Sequence, residues 1–401
     1  MIAGNNAITA RENNIALVIR LLHKAKVCSR AYLAKQTGLK QATMTYIIDN
    51  LLSWKLVEET GTIEGELKRR SIGITLNDKV YRLLGIRLNR DYVSAALFTI
   101  KGEIVSQREV TFDRSTKPET VMSYMIKLVR ELIETASDED KILGIGVAIP
   151  GPFVPSEGKI KLMSGSPGWE NTDIKQILNA EFGIPVFLEH DANCGALVEY
   201  WYGEVGDAKD ILFLALDTGV GAGILSDGQL FKGSLGTAGE VGHMSIDRNG
   251  PKCECGNHGC LEMYCSTKRL IDDYQKAALK PRTLDEILKA VDEGDSEVRK
   301  IYAEAASDLG FGLVNLINIL SPKLIILSGK LSLGGEYLIE VVSGVLKENL
   351  LPALYQNTEI RLGTRFDGET MLYGAGAVVL ENILLEPTQC FNPESAGKAR
   401  S

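Results

Sequence analysis

Apolar residues recur every three to four positions through much of the first 80 residues, a spacing typical of short amphipathic helices. The pattern predicts three helices, at Glu12–Lys24, Arg30–Thr37 and Gln41–Trp54. Ser29 precedes the second helix as a candidate N-cap, and Gly38 ends it before a tight turn. Residues 56–76 then predict a two-stranded wing whose return strand is basic.

From Tyr81 onward the pattern changes to strands that alternate with helices, which is typical of an α/β fold. The predicted strands are Arg82–Leu88, Tyr92–Thr99, Ile104–Val110, Ile142–Ile149, Val186–Glu189, Ile211–Leu216 and Leu324–Leu327. The predicted helices are Glu119–Thr135, Asp173–Phe182, Ala192–Tyr200, Leu284–Glu293 and Ser296–Leu320. About 300 residues exceed one comfortable core, so this region is predicted to form two lobes.

The predicted organisation therefore has four parts. A winged helix-turn-helix domain spans 1–80, a first lobe spans 81–200, and a second lobe spans 201–386. Whether the last helix of the second lobe returns to the first stays open. Pro387, Pro393 and Gly397 favour a frayed tail over 387–401.

Charge separates the first part from the others. Residues 1–80 carry twelve Lys/Arg and seven Asp/Glu, a balance of +5, whereas the whole chain carries −8. A basic head on an acidic body favours a nucleic-acid-binding module, with a helical protein-interaction module as the alternative. The candidate DNA contacts lie at the start of the third helix and on the wing: Gln41, Thr43, Thr45, Tyr46, Arg69 and Arg70.

Composition indicates the cellular compartment in which the protein is expected. The chain holds seven cysteines, an odd number that argues against a disulfide framework. No apolar run is long enough to cross a bilayer, and no secretory signal begins the chain. A soluble cytoplasmic protein with no membrane partner is expected.

A compact set of metal ligands lies in the second lobe. His243 precedes Cys253, Cys255 and Cys260, and one imidazole with three thiols is a complete ligand set for a closed, tetrahedral Zn²⁺ site. Glycines at 256 and 259 permit the chain reversal that the spacing requires. The alternative is a loop of reduced cysteines without metal. The sequence predicts one structural Zn²⁺.

Several motifs together resemble the ROK family of repressors, open reading frames and sugar kinases. They are the His/Cys₃ set, Gly239–His243, Glu189–Asn193 and Gly168–Asn171. The resemblance covers Arg82 to about Leu380 and implies a two-lobed, actin-like (ribonuclease-H-like) body with a zinc loop. It also implies a sugar site at Asp191, Glu240, His243 and Glu262, to which we add His190, which stands where family kinases usually carry Asn. Support of the zinc loop is the alternative role for Glu240 and Glu262, and an N-cap is the alternative for Asp191.

The chain departs from the kinase pattern where family kinases carry an Asp and a Gly-Gly-Thr phosphate turn. Arg87 stands at the place of the aspartate and Asn89-Arg90 at that of the glycine pair. Bulky side chains there would block approach of the backbone to ATP phosphates. A second glycine loop, Asp217–Gly223, remains, but such glycines also suit a plain hairpin. We therefore expect no enzymatic activity.

The sequence favours a repressor of carbohydrate-utilisation genes whose operator affinity is changed by a sugar or sugar phosphate. Its expected partners are operator DNA, the effector and a second copy, in a homodimer or homotetramer, because operators are commonly palindromic. One alternative is an active sugar kinase with a DNA-binding head. Another is a repressor regulated by a protein partner.

Overall fold

The computed structural model describes residues 7–64, 70–151, 153–154, 159–160, 168–169, 172–277, 280–364 and 369–391. Contacts within the chain define two compact units. The first comprises 1–153, 157–191 and 371–401, and the second comprises 154–156 and 192–370. The predicted domain boundaries follow sequence pattern and remain a prediction.

The first unit begins with three helices and a three-stranded antiparallel sheet of order β1-β3-β2. These elements are α1 (Ala7–Ala25), β1 (Cys28–Ser29), α2 (Arg30–Thr37), α3 (Gln41–Ser53), β2 (Val57–Glu64) and β3 (Arg70–Leu76). The Tyr32 backbone N–H donates to Ser29 Oγ at 3.1 Å, which confirms the predicted N-cap. Gly38 ends α2 at φ 69°, where glycine is favoured. Helix α1 starts at Ala7 instead of Glu12, since the residues between contain no helix breaker.

A five-stranded sheet of order β10-β7-β4-β5-β6 follows in the same unit. Its strands are β4 (Tyr81–Leu88), β5 (Tyr92–Thr99), β6 (Ile104–Thr111), β7 (Lys141–Ile149) and β10 (Val186–His190). The first three are antiparallel neighbours, while β7 and β10 are added in parallel. Two helices, α4 (Pro118–Thr135) and α5 (Ile174–Phe182), pack apolar side chains on this sheet. The two-residue strands β8 (Phe153–Val154) and β9 (Lys159–Ile160) lie between β7 and α5 in sequence.

The second unit repeats this strand order as β13-β12-β11-β14-β15. Its strands are β11 (Ile211–Leu216), β12 (Val220–Ser226), β13 (Gln229–Leu230), β14 (Leu324–Ser328) and β15 (Glu359–Leu362). Its helices are α6 (Asp191–Tyr202, of which Asp191 is assigned to the first unit), α7 (Glu262–Cys265), α8 (Thr267–Lys276), α9 (Leu284–Asp292), α10 (Ser296–Leu320), α11 (Glu336–Asn349) and α12 (Pro352–Asn357). In both sheets three antiparallel strands are extended by two parallel ones, which confirms the predicted α/β fold.

The last two helices return to the first unit. They are α13 (Thr370–Ile383) and α14 (Pro387–Phe391). The predicted frayed tail after Glu386 is therefore wrong for Pro387–Phe391. Phe391 is only 2% exposed and packs edge-on against Tyr81, so burial of its ring stabilises a helix that local composition disfavours.

Within the described residues, we find no helix that is both long and apolar enough to cross a membrane.

Candidate metal centre and effector site

Four side chains of the second unit converge on one point. The ligand atoms of His243, Cys253, Cys255 and Cys260 all lie within 4.8 Å of one another. His243 Nδ1 is 3.7 Å from Cys253 Sγ, and the sulfurs of Cys255 and Cys260 are 3.6 Å apart. With metal–ligand bonds of about 2.0–2.3 Å, tetrahedral ligand atoms are separated by roughly 3.5–4 Å. The donor set and its spacing therefore fit a tetrahedral metal ion.

Backbone pairing builds this cluster from two chain segments. Ser245 pairs with Cys260 and Lys252 with His258, which closes the loop on itself. At Gly259, φ is 67°, and a Cβ would lie 1.7 Å from the Asp247 carbonyl oxygen. Glycine is therefore required there, because a side chain would collide with the opposite backbone.

Burial controls the protonation of the thiols. It raises the pKa of Cys253 to about 12 and also raises the pKa of Cys260. The Asn257 backbone N–H, which donates to the sulfur, lowers the pKa of Cys255. A metal ion must therefore displace protons from Cys253 and Cys260 at neutral pH.

Glu262 lies directly at the cluster. Its Oε1 accepts from the Cys253 thiol at 3.3 Å and is 3.5 Å from His243 Nδ1. Its Oε2 lies near the β11–β12 turn, 3.6 Å from where a Cβ on Gly219 would stand. The structure thus brings Glu262 and His243 together, as the proposed sugar site and the alternative of zinc-loop support both require.

The other predicted sugar-site residues lie at the ends of elements. Glu240 precedes a single 3-10 turn, Val241–His243, that carries the imidazole of the His/Cys₃ cluster. In the first unit, His190 ends β10 and is 6% exposed, and Asp191 begins α6. The backbone N–H of His190 donates to the buried carboxylate of Glu189 at 3.1 Å. The sugar-binding role of these residues remains a prediction.

The two candidate phosphate loops have different local structures. Between β4 and β5 the Asn89 N–H donates to the Tyr92 carbonyl, and the Arg87 guanidinium lies 5.3 Å from the centre of the Tyr92 ring. In the second loop, Gly223 lies on β12 and is needed for packing, since a Cβ there would lie 2.3 Å from the Ala192 carbonyl oxygen. Gly223 is therefore explained without a bound phosphate, whereas a Cβ on Gly219, in the turn itself, would make only an ordinary contact of 3.6 Å with Glu262 Oε2.

Helix α3 presents the predicted DNA contacts to solvent. Gln41, Thr43, Thr45 and Tyr46 are all exposed, while Met44, Ile47 and Ile48 are buried. Arg70, the first residue of β3, is also exposed, and Arg69 lies outside the described residues. The Arg11 guanidinium is 5.6 Å from the centre of the Tyr46 ring, so Tyr46 is also in contact with α1.

One buried carboxylate was missed by sequence reasoning. Glu199 on α6 is fully buried and accepts hydrogen bonds from Arg361 Nη2 at 3.1 Å and Thr364 Oγ1 at 3.0 Å. The Thr364 backbone N–H also donates to it. A charged residue within the otherwise apolar segment 196–202 was the available signal.

The repeated sheets define an actin-like α/β protein. The ROK family model matches residues 83–382, so the chain belongs to the ROK family. The Xylose repressor of Caldicellulosiruptor bescii is 30% identical over 96% of this chain and 99% of its own length. The N-acetylglucosamine repressor of Escherichia coli O157:H7 is 27% identical over 95% and 96%, respectively.

Solved structures agree on the fold. A ROK family transcriptional regulator, homologous to the E. coli MLC protein, covers 96% of this chain and 99% of its own, with a TM-score of 0.80 and 24% identity. The ROK hexokinase of Thermus thermophilus has a TM-score of 0.64 and 27% identity. It is matched over 99% of its own chain but covers only 75% of this one.

Proposed function

We propose that this protein is a sugar-responsive, DNA-binding transcriptional repressor of carbohydrate-utilisation genes. The observation that carries the proposal is the extent of the matches. The relatives named repressors align over nearly the whole chain, whereas the hexokinase leaves a quarter of it unmatched. The family model starts at residue 83, after α1–α3 and the β2–β3 hairpin. The additional segment is therefore the part that distinguishes this chain from a kinase.

The arrangement of helices and strands in that segment supports its interpretation as a winged helix-turn-helix domain. Helices α2 and α3 are joined by a tight turn at Gly38, and β2 and β3 form the wing. In our proposal Gln41, Thr43, Thr45 and Tyr46 enter the major groove, and Arg69 and Arg70 contact phosphates or the minor groove. The exposure of the four α3 side chains supports this assignment.

The effector is proposed to be a sugar or sugar phosphate held by His190, Asp191, Glu240, His243 and Glu262. Carboxylates suit sugar hydroxyls because each accepts two hydrogen bonds. The proximity of Glu262 to His243 supports a link between the metal and the effector site. Zn²⁺ at the His/Cys₃ cluster would fix the ring of His243 and thereby orient its neighbours.

Phosphorylation of the sugar is not part of this proposal. Arg87, Asn89 and Arg90 fill the place of the kinase phosphate turn, and Gly223 of the remaining glycine loop has a packing role. ATP turnover of about 1 s⁻¹ with a common pentose, hexose or hexosamine would contradict this part.

The test begins with a DNA duplex selected from a random-sequence library on the unaltered protein. Its affinity is then measured with D-xylose, glucose, N-acetylglucosamine and the 6-phosphates of the last two. Arg70→Ala should weaken binding to all sequences and reduce the salt slope by about one. Gln41→Ala should relax one operator position at a cost of roughly 1–3 kcal/mol. Lys347→Ala, an exposed change on α11, is the control.

The Asp191→Asn and Glu240→Gln variants complete the design. Both should bind the duplex normally and lose the sugar response. If both respond like the parent, the effector site is misplaced. If no sugar alters affinity while the duplex is bound selectively, regulation by a protein partner replaces regulation by a sugar. Analytical ultracentrifugation of the duplex complex checks the proposed dimer or tetramer.

A further inference from the structure

Helix α1 is attached to the C-terminal end of the chain through two polar contacts. Arg20 Nη2 lies 2.8 Å from Glu381 Oε1 on α13, although the two residues are 361 positions apart. Glu12 Oε2, about two helical turns earlier on α1, accepts from the Thr388 backbone N–H of α14 at 2.9 Å. The same side of α1 is thus held at two points by α13 and α14.

The Arg20–Glu381 pair differs from an ordinary surface ion pair. Its side chains are only 24% and 16% exposed. Exposed ion pairs contribute little to stability because water competes for both charges. When an ion pair is shielded from water, removing one partner leaves the other charge poorly solvated. The pair therefore contributes to holding α1 in its observed position.

The C-terminal helices also reach the end of α3. The Phe391 ring packs edge-on against Tyr81 with centroids 5.1 Å apart. The Tyr81 hydroxyl donates to the Trp54 carbonyl oxygen at 2.6 Å, directly after α3. A displacement of α14 would therefore act on both α1 and the helix proposed to contact bases.

The backbone of helix α13 packs closely on the backbones of β4 and β7 at two glycines. A Cβ on Gly146 of β7 would lie 1.9 Å from the Ala375 carbonyl oxygen, and one on Gly85 of β4 would lie 2.9 Å from the Gly376 nitrogen. Close backbone packing of this kind transmits displacement because protein interiors are dense and little compressible. The chain enters α13 directly from the second unit, whose last residue is Thr370.

We propose that Arg20 and Glu381 are positioning residues that couple the effector state of the body to the placement of α1 and α3. This inference rests on the proposed repressor function. In it, a change at the effector site moves α13, and the ion pair conveys that movement to the head. Neither residue touches DNA or sugar in this scheme.

The experiment uses the full chain with a charge reversal on each side and a combined swap. The variants are Arg20→Glu, Glu381→Arg and the double variant that restores an ion pair in the opposite sense. Arg282→Glu is the matched control, since Arg282 pairs with Asp295 at 3.2 Å inside the second unit. Circular dichroism first establishes that each variant keeps its helix content.

Two quantities are then measured. The first is amide hydrogen exchange across 10–24, which should be about ten-fold faster in each single variant and return toward the parent in the double variant. The second is the ratio of duplex affinities without and with the sugar of the panel that changes the parent protein's affinity most, using the selected duplex. This ratio should fall toward one in the single variants, recover in the double variant, and stay unchanged in Arg282→Glu.

The possible outcomes distinguish failure of this coupling role from failure of the proposed repressor function. A parent protein that selects no duplex, or whose affinity responds to no sugar of the panel, refutes the proposed function and the coupling role with it. A responsive parent whose ratio is unchanged in both single variants refutes the coupling role alone. Equal weakening of both sugar states would mean a merely structural contact, and it too overturns the inference. Unchanged exchange across 10–24 refutes the positioning of α1.

Discussion

The metal cluster makes a quantitative prediction about pH. Burial raises the pKa of Cys253 to about 12 and also raises that of Cys260, so in the metal-free protein both thiols keep their protons near pH 7. Binding a metal as a thiolate complex must release these protons. Each proton released makes the apparent affinity rise tenfold per pH unit.

The expected magnitude follows from that count. Two thiol protons predict a rise of about a hundredfold in apparent Zn²⁺ affinity between pH 6.5 and 7.5. Any proton that Cys255 still carries adds to this slope, although hydrogen bonding from Asn257 lowers its pKa. The sign is fixed, because only the deprotonated thiol is a ligand: affinity increases with pH.

The assay is competition against a chromogenic chelator at several pH values. Calorimetry in two buffers of different protonation enthalpy counts the released protons independently. Cys255→Ser should weaken binding, whereas Cys390→Ser, which changes an exposed cysteine outside the cluster, should leave it unchanged. A slope below tenfold per pH unit, or loss of metal in Cys390→Ser, would refute the reasoning.

Three further predictions concern stability. Glu199→Ala should lower the free energy of unfolding by about 3–5 kcal/mol in urea, since Arg361 and Thr364 lose a buried partner; a loss under about 1 kcal/mol contradicts this, and Glu199→Gln should cost less. Gly146→Ala should destabilise the protein by about 1–3 kcal/mol because its methyl group would overlap the Ala375 carbonyl, whereas Gly61→Ala, whose Cβ would meet no atom of the described residues within 4 Å, should not. Equal melting temperatures of the two variants would disprove the packing argument. The metal-free protein should lose stability as the pH rises past about 8.5, because the pKa of Cys253 is higher in the folded protein than in the unfolded chain. The stabilisation from this protonated thiol is fully present below the pKa of the unfolded chain and is lost as the pH rises above it. Thermal melts at pH 7 and 9.5 check this, and Cys253→Ser should show a smaller loss than the parent.

Elements with a strong local pattern were predictable from the sequence. The predicted α2 and α10 have the observed bounds, and the core strands of both units lie within a residue or two of their predictions. Local periodicity, caps and glycine stops determine such elements without help from distant residues. The His/Cys₃ set could also be predicted from the sequence, because ligand type and spacing are properties of one short segment.

Only the tertiary structure decided how those elements combine. Glu199 accepts a hydrogen bond from Thr364, 165 positions away, and Arg20 pairs with Glu381 across nearly the whole chain. No local pattern specifies which distant partner a polar side chain will meet. For the same reason α14 was predicted as a frayed tail: its stability comes from burying Phe391 against Tyr81, a contact that exists only once the chain has returned to the first unit.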